Sequence, residues 1–130
     1  MTDIAIDTSA IVEVLTRGPQ AAALRATMNE AGAIYVSSAT RVEAAFVLMG
    51  RFGLERPEFD RAWDKLGLEE VALDTAVATF AIDAFQMWGK GRAKSSLNFG
   101  DCFSYALATA RNLPLLFIGA DFSQTDVDRA

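Results

Sequence analysis

Short apolar segments alternate with segments of helical periodicity along the chain, and this alternation restricts the possible folds more than any other feature. The apolar segments are residues 3–7, 33–37, 69–73 and 114–118. Parallel strands need a crossover connection of about a dozen residues or more, and a helix usually supplies it. The alternation therefore predicts an α/β domain in which a parallel sheet is covered by helices.

The helical segments carry start signals and an apolar repeat. Thr8 and Ser9 are placed to cap a first helix, while Asp74 and Asn98 are placed to cap two later ones. The helix after the second strand repeats apolar residues at helical spacing: Val42, Ala45, Phe46, Met49 and Phe52.

The length and the apolar content fit one domain, residues 1–130, with a substantial core. Hydrophobic residues make up 52% of the 130 positions. No apolar run approaches the ~20 residues of a membrane span, and Asp3 and Asp7 interrupt the N-terminal segment too early for a signal peptide. The single cysteine, Cys102, cannot form an internal disulfide. We therefore expect a cytoplasmic protein without a membrane partner.

The chain contains no histidine, which excludes several kinds of enzyme. Ser-His and Cys-His nucleophilic catalysis and histidine-bound zinc are excluded, and one cysteine is too few for a thiolate zinc site. If the protein is an enzyme, carboxylates must carry its chemistry. The net charge of −5 disfavours a polyanionic partner, unless metal ions and a local basic patch reverse the sign where the partner binds.

Four acidic residues lie where the predicted strands end or where the following helices begin: Asp7, Glu43, Asp101 and Asp121. In parallel α/β sheets, ligands bind beyond the carboxyl ends of the strands, so these four carboxylates could converge on one cleft. Two like charges ~4 Å apart repel by about 4 kcal/mol at an effective dielectric near 20. Divalent cations would make such a cluster favourable, and all-oxygen sites suit Mg²⁺ or Mn²⁺.

Each of these acids also has a purely structural interpretation. Thr40 and Glu43 have the spacing of a capping box, and so do Asn98 and Asp101. Asp121 could cap a terminal helical turn. Taken singly, the acids leave both interpretations open.

Four sequence blocks around the acids occur in an order typical of a known family. They are IDTSAI at residues 6–11, VEAA at 42–45, NFGDCFSYA at 98–106 and FIGADF at 117–122. Together they resemble the PIN-domain family and, more narrowly, the VapC ribonuclease toxins of bacterial toxin–antitoxin pairs. The resemblance extends over nearly the whole chain.

The resemblance implies a three-layer α/β/α sandwich with a central parallel sheet of four to five strands. It implies Mg²⁺- or Mn²⁺-dependent endonucleolytic cleavage of RNA that leaves a 5′-phosphate and a 3′-hydroxyl. It also implies a homodimer and a VapB-type antitoxin, whose C-terminal segment wraps the toxin and can place a basic side chain in the acidic pocket. It assigns metal binding and catalysis to four acids: Asp7, Glu43, Asp101 and Asp121. It assigns a supporting catalytic role to a hydroxyl next to the first acid, that of Thr8 or Ser9.

Some alternatives remain open. Asp126, five residues beyond Asp121, could share or replace its role. The same fold could also lack turnover and serve as an acidic binding module for a basic partner peptide. A phosphohydrolase that acts on small molecules is disfavoured because the chain lacks a phosphate-binding loop and has Ser9 where a second aspartate would follow Asp7.

An acidic ribonuclease needs positive charge for the RNA backbone, and the sequence concentrates it in one glycine-containing segment. Lys90, Arg92 and Lys94 lie between the long helix and the helix that carries Asp101, so they could reach the cleft and bind RNA. The alternative is a solvated connector, as charge runs usually are.

Overall fold

The computed structural model describes residues 1–89, 91 and 97–130, and the described part contains four strands and six helices. Lys90, Arg92 and Lys94 of the predicted RNA-binding segment lie outside the described residues. In chain order the elements are β1 (Ile4–Ile6), α1 (Thr8–Leu15), α2 (Ala21–Glu30), β2 (Ile34–Ser37), α3 (Ser38–Gly50), α4 (Arg56–Lys65), β3 (Glu69–Val71), α5 (Thr75–Trp88), α6 (Phe99–Arg111) and β4 (Leu115–Leu116).

The four strands form one parallel sheet in the order β3-β2-β1-β4. The chain therefore runs outward from β1 through β2 to β3 and then crosses back to place β4 on the other side of β1. This reversal creates a topological switch point between β1 and β4, and in open α/β sheets ligands bind at such a point.

The side chains of β1 divide between two apolar clusters, one on each face of the sheet. Ile4 and Ile6 pack with α1 to α4, whereas Ala5 packs with α5 and α6. Leu116 and Leu115 of β4 divide in the same way. A sheet buried on both faces is what parallel strands require, and the predicted three-layer α/β/α fold is confirmed.

Two helix starts differ from the sequence prediction. Asp7, not Thr8 or Ser9, caps α1, and its side chain accepts the Ser9 N–H at 3.0 Å. Helix α3 begins at Ser38 with Ser37 as its cap, so the predicted capping box of Thr40 and Glu43 is not formed. The carboxylate of Glu43 is therefore available for other contacts.

Most of the apolar stripe of α3 faces away from the core, although Ala45 packs against it. The buried side chains of this helix are Thr40, Ala44 and Leu48. Thr40 and Ala44 have small side chains, so α3 can approach its neighbours closely. The helix also has apolar residues on its outer face. The exposed members of the stripe on α3 are Val42, Phe46 and Met49. Phe52 is also exposed, but it lies beyond the end of α3 at Gly50.

Helix α5 repeats this arrangement. Its buried residues are Ala81 and Ala84, while Phe80, Ile82 and Met87 are exposed. None of the helices within the described ranges is long and apolar enough to span a bilayer.

We expect Leu48→Ala to lower the free energy of unfolding by about 2–5 kcal/mol, because Leu48 is fully buried and the deletion leaves a cavity. Phe46→Ala is the matched control on the same helix. Because Phe46 is 72% exposed, its loss should change the free energy by no more than about 0.5 kcal/mol. Urea denaturation followed by circular dichroism measures both, and equal losses would contradict this assignment of the two faces.

Candidate active site

Asp7 lies at the carboxyl end of β1, beside the switch point, and is only 2% exposed. Its Oδ1 accepts a hydrogen bond from Ser104 Oγ at 2.5 Å, and its Oδ2 accepts from Ser9 Oγ at 2.7 Å and from Ser9 N at 3.0 Å. Both carboxylate oxygens are thus held by donors from α1 and α6. The carboxylate has one fixed orientation.

The hydroxyls around Asp7 extend the network to two further elements. Ser104 Oγ lies 3.4 Å from Thr40 Oγ1 of α3, and Ser9 Oγ accepts from Ile118 N, after β4, at 3.2 Å. The sequence analysis assigned no role to Ser104 and gave Thr40 only the capping-box interpretation. The available signal was that Ser104 lies one helical turn after Asp101, and therefore on the same face of α6.

Glu43 projects from α3 toward α1 and α6. Its carboxylate accepts a hydrogen bond from Thr8 Oγ1. It also lies directly against Gly100, where the Cβ of any larger residue would overlap the carboxylate. Thr8 and Gly100 together fix the position of Glu43.

The sequence left open whether Asp101 caps a helix or belongs to the acidic cluster, and in the structure it does both. Its side chain accepts Asn98 N at 3.1 Å, and Asn98 Oδ1 accepts Asp101 N at 2.9 Å, so the predicted capping box is present. The same side chain is 8% exposed and lies within hydrogen-bonding reach of Asp121. Asp126 instead accepts the hydroxyl of Tyr105. The structure thus brings Asp121 to Asp101 and places Asp126 on a different contact.

Burial raises the pKa of three of these acids, and repulsion between the carboxylates adds to the shift for Glu43 and Asp101. Burial raises the pKa of Asp7, although the hydrogen bonds from Ser104 and Ser9 lower it. Burial, followed by the charge of Asp7, raises the pKa of Glu43, which the Thr8 hydrogen bond lowers. Burial, with the charges of Asp7 and Asp121, raises the pKa of Asp101 to about 8.

No basic side chain neutralises this cluster within the described part of the chain. The two ion pairs found there, Arg41–Glu70 and Arg56–Asp60, involve other acids. A cation from outside the chain would therefore relieve the repulsion.

The donor set fits a hard divalent cation. Among the described residues, no three carboxylates stand close enough to form a complete ligand cluster. They instead interact as successive pairs, from Glu43 to Asp7, from Asp7 to Asp101 and from Asp101 to Asp121. Mg²⁺ keeps several water ligands and uses only one or two protein carboxylates, so such pairs suffice for it.

Cys102 is buried beside the cluster, on α6. Burial and the charge of Asp101 raise the pKa of its thiol to about 11. The thiol therefore stays protonated at neutral pH, as expected of a small core residue and not of a nucleophile.

Comparison with known proteins identifies the family. The model of the PIN domain matches residues 4–128. The chain belongs to the PIN-domain family. Within it the chain is 42% identical to the protein named Ribonuclease VapC from Mycolicibacterium smegmatis, over 94% of this chain and 95% of that protein. The predicted resemblance to VapC proteins is confirmed.

Solved structures share the fold of this PIN domain at low sequence identity. Mycobacterium tuberculosis VapC20, described as a sarcin-ricin loop cleaving toxin, superposes with a TM-score of 0.77 at 14% identity, over 98% of both chains. A toxin–antitoxin complex from Klebsiella pneumoniae gives a TM-score of 0.71 at 15% identity, over 95% of this chain and 92% of that one.

The raised pKa of Asp101 makes the stability of the metal-free protein depend on pH. Because the folded-state pKa, about 8, exceeds the ordinary value of 3.8, folding favours the protonated carboxyl. The contribution of this protonated carboxyl to the free energy of unfolding is fully present below ~pH 4 and is lost as the pH rises toward 8. Metal-free Asp101→Asn should therefore be more stable than the wild type at pH 8 by about 1 kcal/mol or more, with the difference shrinking toward pH 4.

Urea denaturation in chelator at several pH values measures this difference. Asp83→Asn, at an exposed position of α5, is the control for the loss of one carboxylate elsewhere on the chain. If the free energies of unfolding of Asp101→Asn and the wild type differ by the same amount at every pH, the raised pKa of Asp101 is not the cause of the difference.

Proposed function

We propose that this chain is a divalent-metal-dependent endoribonuclease and the toxin of a toxin–antitoxin module. The observation that carries the proposal is the buried, hydrogen-bonded carboxylate of Asp7 at the switch point, with Glu43 and Asp101 as acidic neighbours and no basic partner in the described part of the chain. The name of the Mycolicibacterium smegmatis relative supports ribonuclease activity. We also propose a cytoplasmic location, where an RNA substrate would be available.

Asp7, Glu43, Asp101 and the more exposed Asp121 would hold Mg²⁺ or Mn²⁺. Such a cation would supply an activated water and the positive charge that lets an acidic site attract a phosphodiester.

The protein's own contribution is to keep the carboxylates in place before substrate binds. Ser9 and Ser104 fix Asp7, and Thr8 fixes Glu43. The backbone N–H of Asn98 fixes Asp101. Preorganised groups of this kind need no rearrangement during the reaction, and this is the main source of electrostatic catalysis.

The alternative function is a PIN-fold binding module without turnover, in which the acids receive a basic peptide. The complete set of four acids and the ribonuclease name of the relative favour the enzyme. Measuring Mg²⁺ affinity and RNA cleavage on the same preparation separates the two functions, because the module would bind peptide but would not cleave RNA.

We also propose two protein partners. The Klebsiella pneumoniae neighbour is a toxin–antitoxin complex, which supports a VapB-type antitoxin as one partner. In our proposal this antitoxin places a basic side chain among the acids. We further propose a homodimer, and the exposed apolar residues Ile82 and Met87 on α5 offer surface for it. Sedimentation of the protein alone tests the dimer.

Asp7→Asn and Asp101→Asn should each reduce RNA cleavage by more than about 100-fold, because an amide retains the shape of the side chain but not the charge that a hard cation needs. Cleavage of a fluorescent RNA in Mg²⁺ or Mn²⁺, with and without chelator, measures this. Asp83→Asn is again the control. Full activity in either site variant, or in chelator, would overturn the proposed mechanism.

Gly100→Ala should reduce cleavage by about tenfold or more while the protein stays folded, because the added Cβ would displace the Glu43 carboxylate. Gly50→Ala is a matched control, since a Cβ there meets nothing within 4 Å. Cleavage rates and circular dichroism spectra of both variants are compared. Equal activity of the two variants would show that the position of Glu43 is not critical.

A further inference from the structure

The phenol of Tyr105 lies on α6, four residues after Asp101, and is almost fully buried. Tyr105 is 6% exposed and belongs to the apolar cluster that α5 and α6 form on one face of the sheet. Residues four apart on a helix lie on the same side of it, so Tyr105 follows Asp101 by one helical turn. A buried hydroxyl without a hydrogen-bond partner is costly, so the partners of this one are informative.

The Tyr105 hydroxyl joins two segments that are distant in sequence. The indole N–H of Trp88, the last residue of α5, donates to it at 3.1 Å. The hydroxyl in turn donates to Oδ1 of Asp126, in the C-terminal segment. Burial, followed by the hydrogen bond to Asp126, raises the pKa of the Tyr105 phenol. The phenol therefore remains a donor at neutral pH.

Residues 120–127 form a series of hydrogen-bonded turns that contains both Asp121 and Asp126. The N–H of Thr125, for example, donates to the carbonyl of Phe122 at 3.0 Å. Phe122 is only 2% exposed and anchors the first turn in the same apolar cluster as Tyr105. Asp126 ties the far end of the turns to α6. The position of Asp121 therefore depends on an apolar contact beside it and on a polar contact five residues later.

A restraint is needed because Asp121 lies within hydrogen-bonding reach of Asp101. Two ionised carboxylates at that distance repel each other, and the repulsion opposes the docking of the C-terminal segment on α6. The hydrogen bond from Tyr105 to Asp126 acts in the other direction, since it ties the same segment to the same helix. A hydrogen bond to an ionised acceptor is stronger than one between neutral groups.

We propose that Tyr105 and Asp126 are positioning residues that hold Asp121 beside Asp101, where the two acids can share a divalent cation. This proposal rests on the proposed function, and it gives Asp126 a role other than that of a metal ligand. Trp88 orients the hydroxyl, because its N–H occupies an acceptor position of the oxygen and leaves the O–H to point at Asp126.

Manganese affinity tests the proposal without RNA, by titration of Mn²⁺ followed by electron paramagnetic resonance. Tyr105→Phe removes only the hydroxyl and should weaken Mn²⁺ binding by about 10-fold or more, since groups that orient a metal ligand contribute roughly 10- to 100-fold to affinity. Tyr35→Phe is the matched control, because it makes the same change at the other tyrosine of the chain, in β2. It should leave the affinity unchanged.

Two variants of Asp126 separate an anchor from a metal ligand. Asp126→Asn keeps an oxygen that can accept from Tyr105 and should retain most of the Mn²⁺ affinity. Asp126→Ala should lose as much affinity as Tyr105→Phe, and it should fold normally because Asp126 is exposed. If Asp126→Asn loses as much as Asp126→Ala, the carboxylate binds the metal itself, since an amide is a poor substitute for a charged ligand of a hard cation. That result would overturn the positioning role.

A double-mutant cycle shows whether Tyr105 acts through Asp121. In the Asp121→Asn background, Tyr105→Phe should cause no further loss of Mn²⁺ affinity, whereas independent residues would give additive losses. Additive losses would overturn the proposal, because the hydroxyl would then only complete the packing of α6. Wild-type Mn²⁺ affinity in Tyr105→Phe would also overturn it and, with RNA cleavage intact, would leave the ribonuclease function standing. If the cycle shows the expected coupling but the wild type never cleaves RNA, the proposed function fails alone.

Discussion

A carboxylate buried at the end of the central strand imposes conditions on every element around it. Removing Asp7 from water costs several kcal/mol unless its oxygens find donors. The donors come from Ser9 in α1 and Ser104 in α6, and Ser104 in turn contacts Thr40 in α3. Helices α1 and α3 on one face of the sheet and α6 on the other must therefore meet at the carboxyl end of β1, close enough for their hydroxyls to reach Asp7 and each other.

Close approach at that edge explains the small residues found there. Gly100 and Ser104 of α6 carry little or no side chain where they meet Glu43 and Thr40 of α3. The large apolar side chains lie in the two clusters on the faces of the sheet. The site itself opposes folding, because burial and neighbouring charge disfavour the ionised form of Asp101. The apolar layers supply the stability that lets the acids remain together.

The alternation of apolar and helical segments was enough to predict the parallel sheet, and the strand ends were enough to select the acids. The start of α3 and the partners of the site residues could not be predicted, because they depend on contacts between distant parts of the chain. Thr40 and Glu43 have capping-box spacing, yet α3 begins three residues earlier than that box would require, and Glu43 meets Thr8 of another helix. The role of Ser104 depends on Asp7, 97 positions away. Periodicity identified α3 as a helix but could not tell which of its apolar faces packs.

In the proposed function, the repulsion that a divalent cation relieves is also what an inhibitory partner would use. A basic side chain placed between Asp7 and Asp101 would neutralise the same pair of carboxylates that would hold the metal. Because the two ligands compete for one set of oxygens, each must weaken the binding of the other by the same factor. Inhibition would then need no change in the fold, only a tethered positive charge at high effective concentration. In this proposal, acids that have no basic partner in the described part of the chain would serve both catalysis and control by a basic side chain.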